Sequence, residues 1–236
     1  MIRIRGLSKR YGALAVLDGV DVTIRAGRVT ALVGPNGVGK TTLIKILLGL
    51  ATADGGEISI DGVRVGGDPA YRARIGYMPQ IARFPEHLTG AEVLAMLEDL
   101  RGPGAARDLD LLARFGLEAH LDRPLRALSG GTRQKLNAAA AFLFAPELVV
   151  LDEPTAGLDP LSSAILKDKI RAERDRGRTF ILTSHVISEL EELADDIVFL
   201  VDGAARYAGA VSGLKRQTGQ QGLERALARV MIREEA

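Results

Sequence analysis

Cysteine is absent from this chain of 236 residues. Disulfides, thiolate zinc sites and cysteine nucleophiles are therefore excluded. Histidine is scarce, with three in all, and neither histidine nor methionine clusters, so a copper site has no ligands here. Long apolar runs are also missing. The greasiest stretch, Ala138 to Ala145, ends at Pro146 and Glu147, well short of the roughly 18–20 apolar residues that span a bilayer. The N-terminus, MIRIRGLSKRYG, alternates apolar and basic residues and holds no apolar run of signal-peptide length. Nor is there an excess of one charge: 31 Lys and Arg stand against 30 Asp and Glu. That balance argues against coating a polyanion, and no nucleic-acid partner is expected.

What is present reads as an α/β protein. Ile2 and Ile4 alternate with Arg3 and Arg5, the pattern of a strand with one wet face. Val29 to Val33 is a short apolar run. It ends in a glycine-rich turn, and a helical pattern of Leu43, Ile44, Leu47 and Leu48 follows, stopping near Gly49. Glu57 to Val65 is two β stretches around Asp61-Gly62, a hairpin signal. From about Pro85 to Pro146 the texture turns helical: Thr89 caps a helix through Leu100, Gly102-Pro103-Gly104 breaks it, a second helix runs to about Phe115, and a third starts near Ser129. Strand texture returns at Leu148–Leu151, Thr179–Thr183 and Ile197–Val201. Asp159 followed by Pro160 is a helix start, and Gly177 stops that helix. Strands alternating with helices predict a mostly parallel sheet covered by helices.

Gly34 to Thr41 reads GPNGVGKT and matches G-x-x-x-x-G-K-[ST] at every fixed position. The glycines of Gly34-Pro35-Asn36-Gly37-Val38-Gly39 let backbone N–H groups wrap phosphates. Lys40 reaches the β- and γ-phosphates, the Thr41 hydroxyl ligates Mg²⁺, Thr42 supports the α-phosphate, and the helix N-terminus adds its positive end. Downstream, LVVLDEP ends an apolar strand in two acids. Asp152 is expected to hold Mg²⁺ through water, and Glu153 to orient the attacking water.

Phosphate-binding loops serve many nucleotidases. The discriminating segment is Leu128-Ser129-Gly130-Gly131-Thr132-Arg133-Gln134. With the two motifs above it resembles the ABC ATPase family, whose hallmark is LSGGQ, from about Ile2 to Gly209. The resemblance implies a P-loop NTPase fold: a RecA-like, mostly parallel core at about 1–84 and 146–210, an antiparallel β subdomain, a helical subdomain inserted at about 85–145, and a tail helix at about 211–236. It implies ATP and Mg²⁺ as ligands. Gln80, in IGYMPQ, matches the glutamine that reaches the metal and the water. Ala156-Gly157-Leu158-Asp159 matches the D-loop, and His185, in TSH, the histidine that contacts the γ-phosphate. Tyr11 stands where the family stacks an aromatic on adenine; a tyrosine packed against a glycine turn reads equally well. One position departs: Thr132 replaces the usual glutamine, while Ser129, Gly130 and Gly131 are kept.

In the family the signature faces the γ-phosphate held by another subunit. One phosphate loop and one signature per chain therefore imply a head-to-tail dimer around two ATP, with a second copy or with a paralogue. The family further implies a polytopic membrane subunit, contacted near Ile81–Leu88, and a cytoplasmic place on the inner face of the membrane. A plain surface loop at Ile81–Leu88 is equally allowed. The expected function is the hydrolysing motor of a transporter, export-type by texture. The alternative is a soluble ABC ATPase acting on ribosomes or DNA, and a third reading is an inert nucleotide-binding subunit. The stretch from Thr132 to Ile170 is particularly similar to the copper-processing ATP-binding proteins of nitrous oxide reductase maturation. Leu223, Ala226, Leu227, Val230 and Met231 lie at helical spacing and are expected to dock on the core, with a partner contact as the other reading.

Overall fold

The computed structural model describes residues 1–232, which fall into two compact units. The first takes in the chain up to Arg72 and again from Thr179 onward; the second is Ala73–Arg178. The last four residues of the expected tail helix, 233–236, lie outside the described residues.

In the first unit, β1 (Ile2–Tyr11) and β2 (Leu14–Ile24) form an antiparallel hairpin. Val20, Val22 and Ile24 are buried and their neighbours exposed, the period of a half-covered strand. β3 (Val29–Val33) leads to α1 (Lys40–Leu47). β4 (Gly55–Ile60) pairs with β1 and with β5 (Val63–Arg64). The turn between β4 and β5 has Asp61 at φ 48° and Gly62 at φ 85°, the two positive φ angles of a type I′ hairpin. The antiparallel sheet runs β2-β1-β4-β5.

The second unit opens on β6 (Ile75–Met78). Its helices are α2 (Gly90–Arg101), α3 (Asp110–Arg114), α4 (Gly130–Phe142) and α5 (Pro160–Asp175), and β7 (Leu148–Asp152) pairs in parallel with β6. Thr89 caps α2 through a reciprocal box: the Glu92 N–H donates to the Thr89 hydroxyl at 3.2 Å and the Thr89 N–H donates to the Glu92 carboxylate at 2.7 Å. The Thr89 N–H, and then the Thr89 hydroxyl, donate to the Glu92 carboxyl and hold it below its ordinary range. Gly102, at φ 93°, ends the helix.

The first unit closes with β8 (Thr179–Thr183), α6 (Ile187–Leu193), β9 (Asp196–Val201), β10 (Ala204–Ala210), α7 (Val211–Thr218) and α8 (Leu223–Ile232). β3 lies between β8 and β9 and is parallel to both, while β10 is antiparallel to β9. All five residues of β3, β7 and β8 are buried, which is why these strands read as unbroken apolar runs. The expected tail helix is two helices, because Gly219, at φ 69°, turns the chain between α7 and α8. Leu223, Ala226 and Leu227 are buried as expected, Val230 is half-buried and Met231 is exposed, and α8 packs on α6 and α7.

One glycine fixes how closely α4 can approach its strand. A Cβ on Gly76 would lie 2.0 Å from the Ala141 carbonyl oxygen and 2.7 Å from Pro146 Cγ. Gly76→Ala is expected to cost about 2–3 kcal/mol by overpacking. The check is urea denaturation, where the midpoint should fall with the slope unchanged.

Candidate functional site

Within the first unit, β3 stops at Val33 and the loop Gly34–Gly39 carries the chain into α1. Two glycines there are sterically forced. Gly34 has φ 152°, and a Cβ would sit 2.2 Å from the Leu200 carbonyl oxygen; Gly39 has φ 106°, and a Cβ would sit 2.6 Å from the Val16 carbonyl oxygen. Any side chain would fill the cradle or push the loop off β2 and β9. Lys40 opens α1, and its ammonium donates to the carbonyls of Gly34 at 2.6 Å and Pro35 at 2.9 Å. Thr41, exposed, and Thr42, half-buried, fill the first turn, which contains no acidic residue to oppose an anion.

β3 and β8 pair in parallel with Ala31 opposite Leu182. The phosphate loop after β3 and His185, two residues after β8, therefore emerge at the same carboxyl end of the strands, where α/β sheets bind ligands. His185 is exposed. Tyr11 closes β1 at the tip of the hairpin whose other strand touches Gly39. Its ring is half exposed, and the Lys9 ammonium lies 5.3 Å from its centroid.

The second unit gathers the remaining expected residues. Met78 of β6 lies opposite Leu151 of β7, so Gln80, two residues past β6, and Asp152 and Glu153, at the end of β7, leave the strands together. Asp152 is buried. Glu153 sits at φ 51°, a left-handed conformation that side chains other than glycine rarely adopt. Backbone strain of this kind concentrates at functional sites. Tyr77, half-buried on β6, has its phenol pushed up, first by burial and then by the Asp152 charge.

Ser129 caps α4. Its hydroxyl accepts from the Thr132 N–H at 3.1 Å and lies 2.8 Å from the Thr132 hydroxyl. Gly130 is open: a Cβ would meet nothing within 4 Å. Gly131 is not, since a Cβ would lie 3.3 Å from the Gly157 carbonyl oxygen in the D-loop. Lys135, one turn along α4, reaches Asp159 at 3.0 Å. Asp159 caps α5, and its carboxyl is held far below the ordinary range, first by the Ser162 N–H, then by the Ser162 hydroxyl and by Lys135. Signature helix and D-loop are thus tied side by side. Sequence reasoning singled out neither the Lys135 link nor the Tyr77 contact. No local pattern carries them, because each joins segments distant along the chain.

The profile of the ABC transporter family matches residues 17–156. This chain belongs to that family. Over 240 residues it is 38% identical to the daunorubicin/doxorubicin resistance ATP-binding protein DrrA of Streptomyces peucetius, covering all of this chain and 73% of that one. It is 34% identical to the lantibiotic transport ATP-binding protein SrtF of Streptococcus pyogenes, over 95% of this chain and 94% of that one. Among solved structures, an ATP-binding subunit of an ABC transporter superposes with a TM-score of 0.92 at 32% identity, covering 98% of this chain and 99% of that one. A dimeric ATP-binding cassette bound to ADP and Pi superposes at 0.79 and 24% identity, over 89% of this chain and 98% of that one, and shares the fold. The chain is an ABC-type ATPase with a P-loop NTPase fold.

The residues expected at a metal carry hard oxygen donors of the kind Mg²⁺ takes: a hydroxyl at Thr41, a carboxylate at Asp152 and an amide oxygen at Gln80. No trio of His, Asp or Glu forms a metal cage among the described residues. A magnesium ion that arrives with phosphates needs only one or two protein carboxylates.

Thr132 of the ABC ATPase leaves the cap on α4 complete, since the N–H and hydroxyl bonds to Ser129 are both made. Thr132→Gln is therefore expected to change the rate of hydrolysis by less than about tenfold, because Ser129, Gly130 and Gly131 are kept. Steady-state phosphate release checks this.

Proposed function

We propose that two copies of this chain, or one copy and a paralogue, close head-to-tail around two ATP and drive a separate polytopic membrane subunit that exports its cargo. The observation that carries the reading is the exposed N-terminus of α4. Ser129 and Gly130 face solvent beside the D-loop, open to a phosphate that a neighbouring copy would bring. One phosphate loop and one signature in this sequence support that pairing.

The roles follow from the chemistry of each group. Gly34, Pro35, Asn36, Gly37, Val38 and Gly39 wrap the β-phosphate with backbone N–H groups. Lys40 leaves its own loop carbonyls for the β- and γ-phosphate oxygens, a stronger charge-assisted bond. Thr42 supports the α-phosphate, and Tyr11 offers a face for adenine. Bound Mg²⁺, held by Thr41, by Asp152 and by Gln80, would neutralise charge developing on the transferred phosphoryl group. Glu153 orients the attacking water and accepts its proton. His185 donates to the γ-phosphate, and Ser129, Gly130 and Gly131 contact the same phosphate from the other copy.

The name of a further relative, a Nod factor export ATP-binding protein 37% identical over 86% of this chain, supports export over import. It does not bear on the copper-maturation resemblance. No helix among the described residues is long and apolar enough to cross a membrane. Ile81, two-thirds exposed at the start of an irregular segment, supports contact with that subunit through Ile81–Leu88.

The test is a mild-detergent pull-down from native membranes with tagged Glu153→Gln protein and ATP. A stoichiometric polytopic membrane protein is expected. Ribosomal or nucleic-acid material without a membrane partner would move the chain to the soluble branch of the family.

A further inference from the structure

Asn137 belongs to none of the nucleotide motifs, yet it joins two of them. It lies in the middle of α4, seven residues past Gly130, and is 1% exposed. Its side-chain amide donates to the Pro79 carbonyl at 2.8 Å and to the Gln134 side-chain oxygen at 3.3 Å. Pro79 immediately precedes Gln80. The Pro79 carbonyl and the Gln80 N–H share one planar peptide unit, so holding the carbonyl fixes the plane from which Gln80 departs. The same helix presents Ser129–Gly131 at its N-terminus, about 10 Å further along its axis.

The cluster already holds one donor without an acceptor. Gln134 is buried, and its side-chain nitrogen has no hydrogen-bond partner among the described residues. If the Pro79 carbonyl moved away from α4, the Asn137 amide would lose its best bond in a buried setting. Such a loss is strongly resisted.

We propose that Asn137 is a positioning residue for Gln80, locking the peptide before it to the signature helix so that Gln80 and Ser129–Gly131 move as one body. This rests on the role given to Gln80 above. The consequence is a rule for timing: the glutamine takes its place at the metal and water only when the signature helix takes its place at the phosphate.

The test is a double-mutant cycle on the purified full chain, reading steady-state hydrolysis against ATP and against Mg²⁺, with thermal melting alongside. Asn137→Asp keeps the shape and turns a donor towards the Pro79 carbonyl into an acceptor. We expect kcat to fall about tenfold through misplacement of Gln80. The KM for ATP should stay within about twofold, because the phosphate loop is untouched. More Mg²⁺ should be needed for half-maximal rate. In a Gln80→Ala background Asn137→Asp should lower kcat no further, since the residue it positions is gone. Asn137→Ser, smaller and still able to donate, should recover part of kcat, and it carries the same cycle if the Asp variant does not fold. An unchanged kcat, or an equal fall in both backgrounds, would overturn the proposal. A wild-type rate in Gln80→Ala alone would instead remove the role of Gln80, and this inference with it.

Discussion

Glu153→Gln is expected to lower ATP turnover by about a thousandfold while leaving ATP bound. Glu153 follows the buried Asp152 at the end of β7 and is held at φ 51°. The amide keeps the shape and can still hydrogen-bond to water, but it cannot accept the water's proton. ATP and Mg²⁺ contacts are unaffected, so the nucleotide should stay in place and hold two copies together. Gel filtration of the variant with Mg²⁺ and ATP should show a dimer, and EDTA should return it to monomer. A near-native turnover rate would mean that Glu153 is not the water-orienting carboxylate.

Lys40→Ala acts on binding instead of chemistry. The ammonium folds onto the Gly34 and Pro35 carbonyls, at the mouth of a loop whose shape Gly34 and Gly39 enforce. Opposite two phosphates it supplies charge-assisted bonds, and their loss should weaken ATP binding about a hundredfold. The loop itself should survive, because the forced glycines and the packing of α1 remain. Titration of a fluorescent ATP analogue gives the affinity directly. Unchanged affinity with an intact melting temperature would count against the phosphate-loop reading.

The parts of this molecule that were legible in the sequence are those whose function demands a fixed local spacing. The run from Gly34 to Thr41 was readable because backbone N–H groups, an ammonium and a hydroxyl must meet one phosphate chain within eight residues. Asp159-Pro160 and Thr89 with Glu92 were readable because helix caps are local chemistry. β2 was not read, although Val20, Val22 and Ile24 alternate cleanly. Gly19 interrupts the pattern, and the strand is defined by its register on β1. The tail's apolar spacing resumes after Gly219 and so suggests one helix; the left-handed turn at that glycine divides it. The Asn137–Pro79 bond and the Lys135–Asp159 pair join segments far apart in the chain, and no spacing rule announces them.

The claim that one ATP is shared between two copies can be tested by mixing two inactive chains. Lys40→Ala spoils the phosphate loop, and Ser129→Arg puts a bulky cation on the signature while sparing ATP binding. Neither alone should hydrolyse ATP appreciably. In an equal mixture about half the pairs combine one of each, and one of the two sites in each such pair has an intact loop facing an intact signature. Recovery to about a quarter of the native rate is the expected result, if the two sites act independently. A mixture no more active than the average of its two components would contradict the shared site and the dimeric motor built on it.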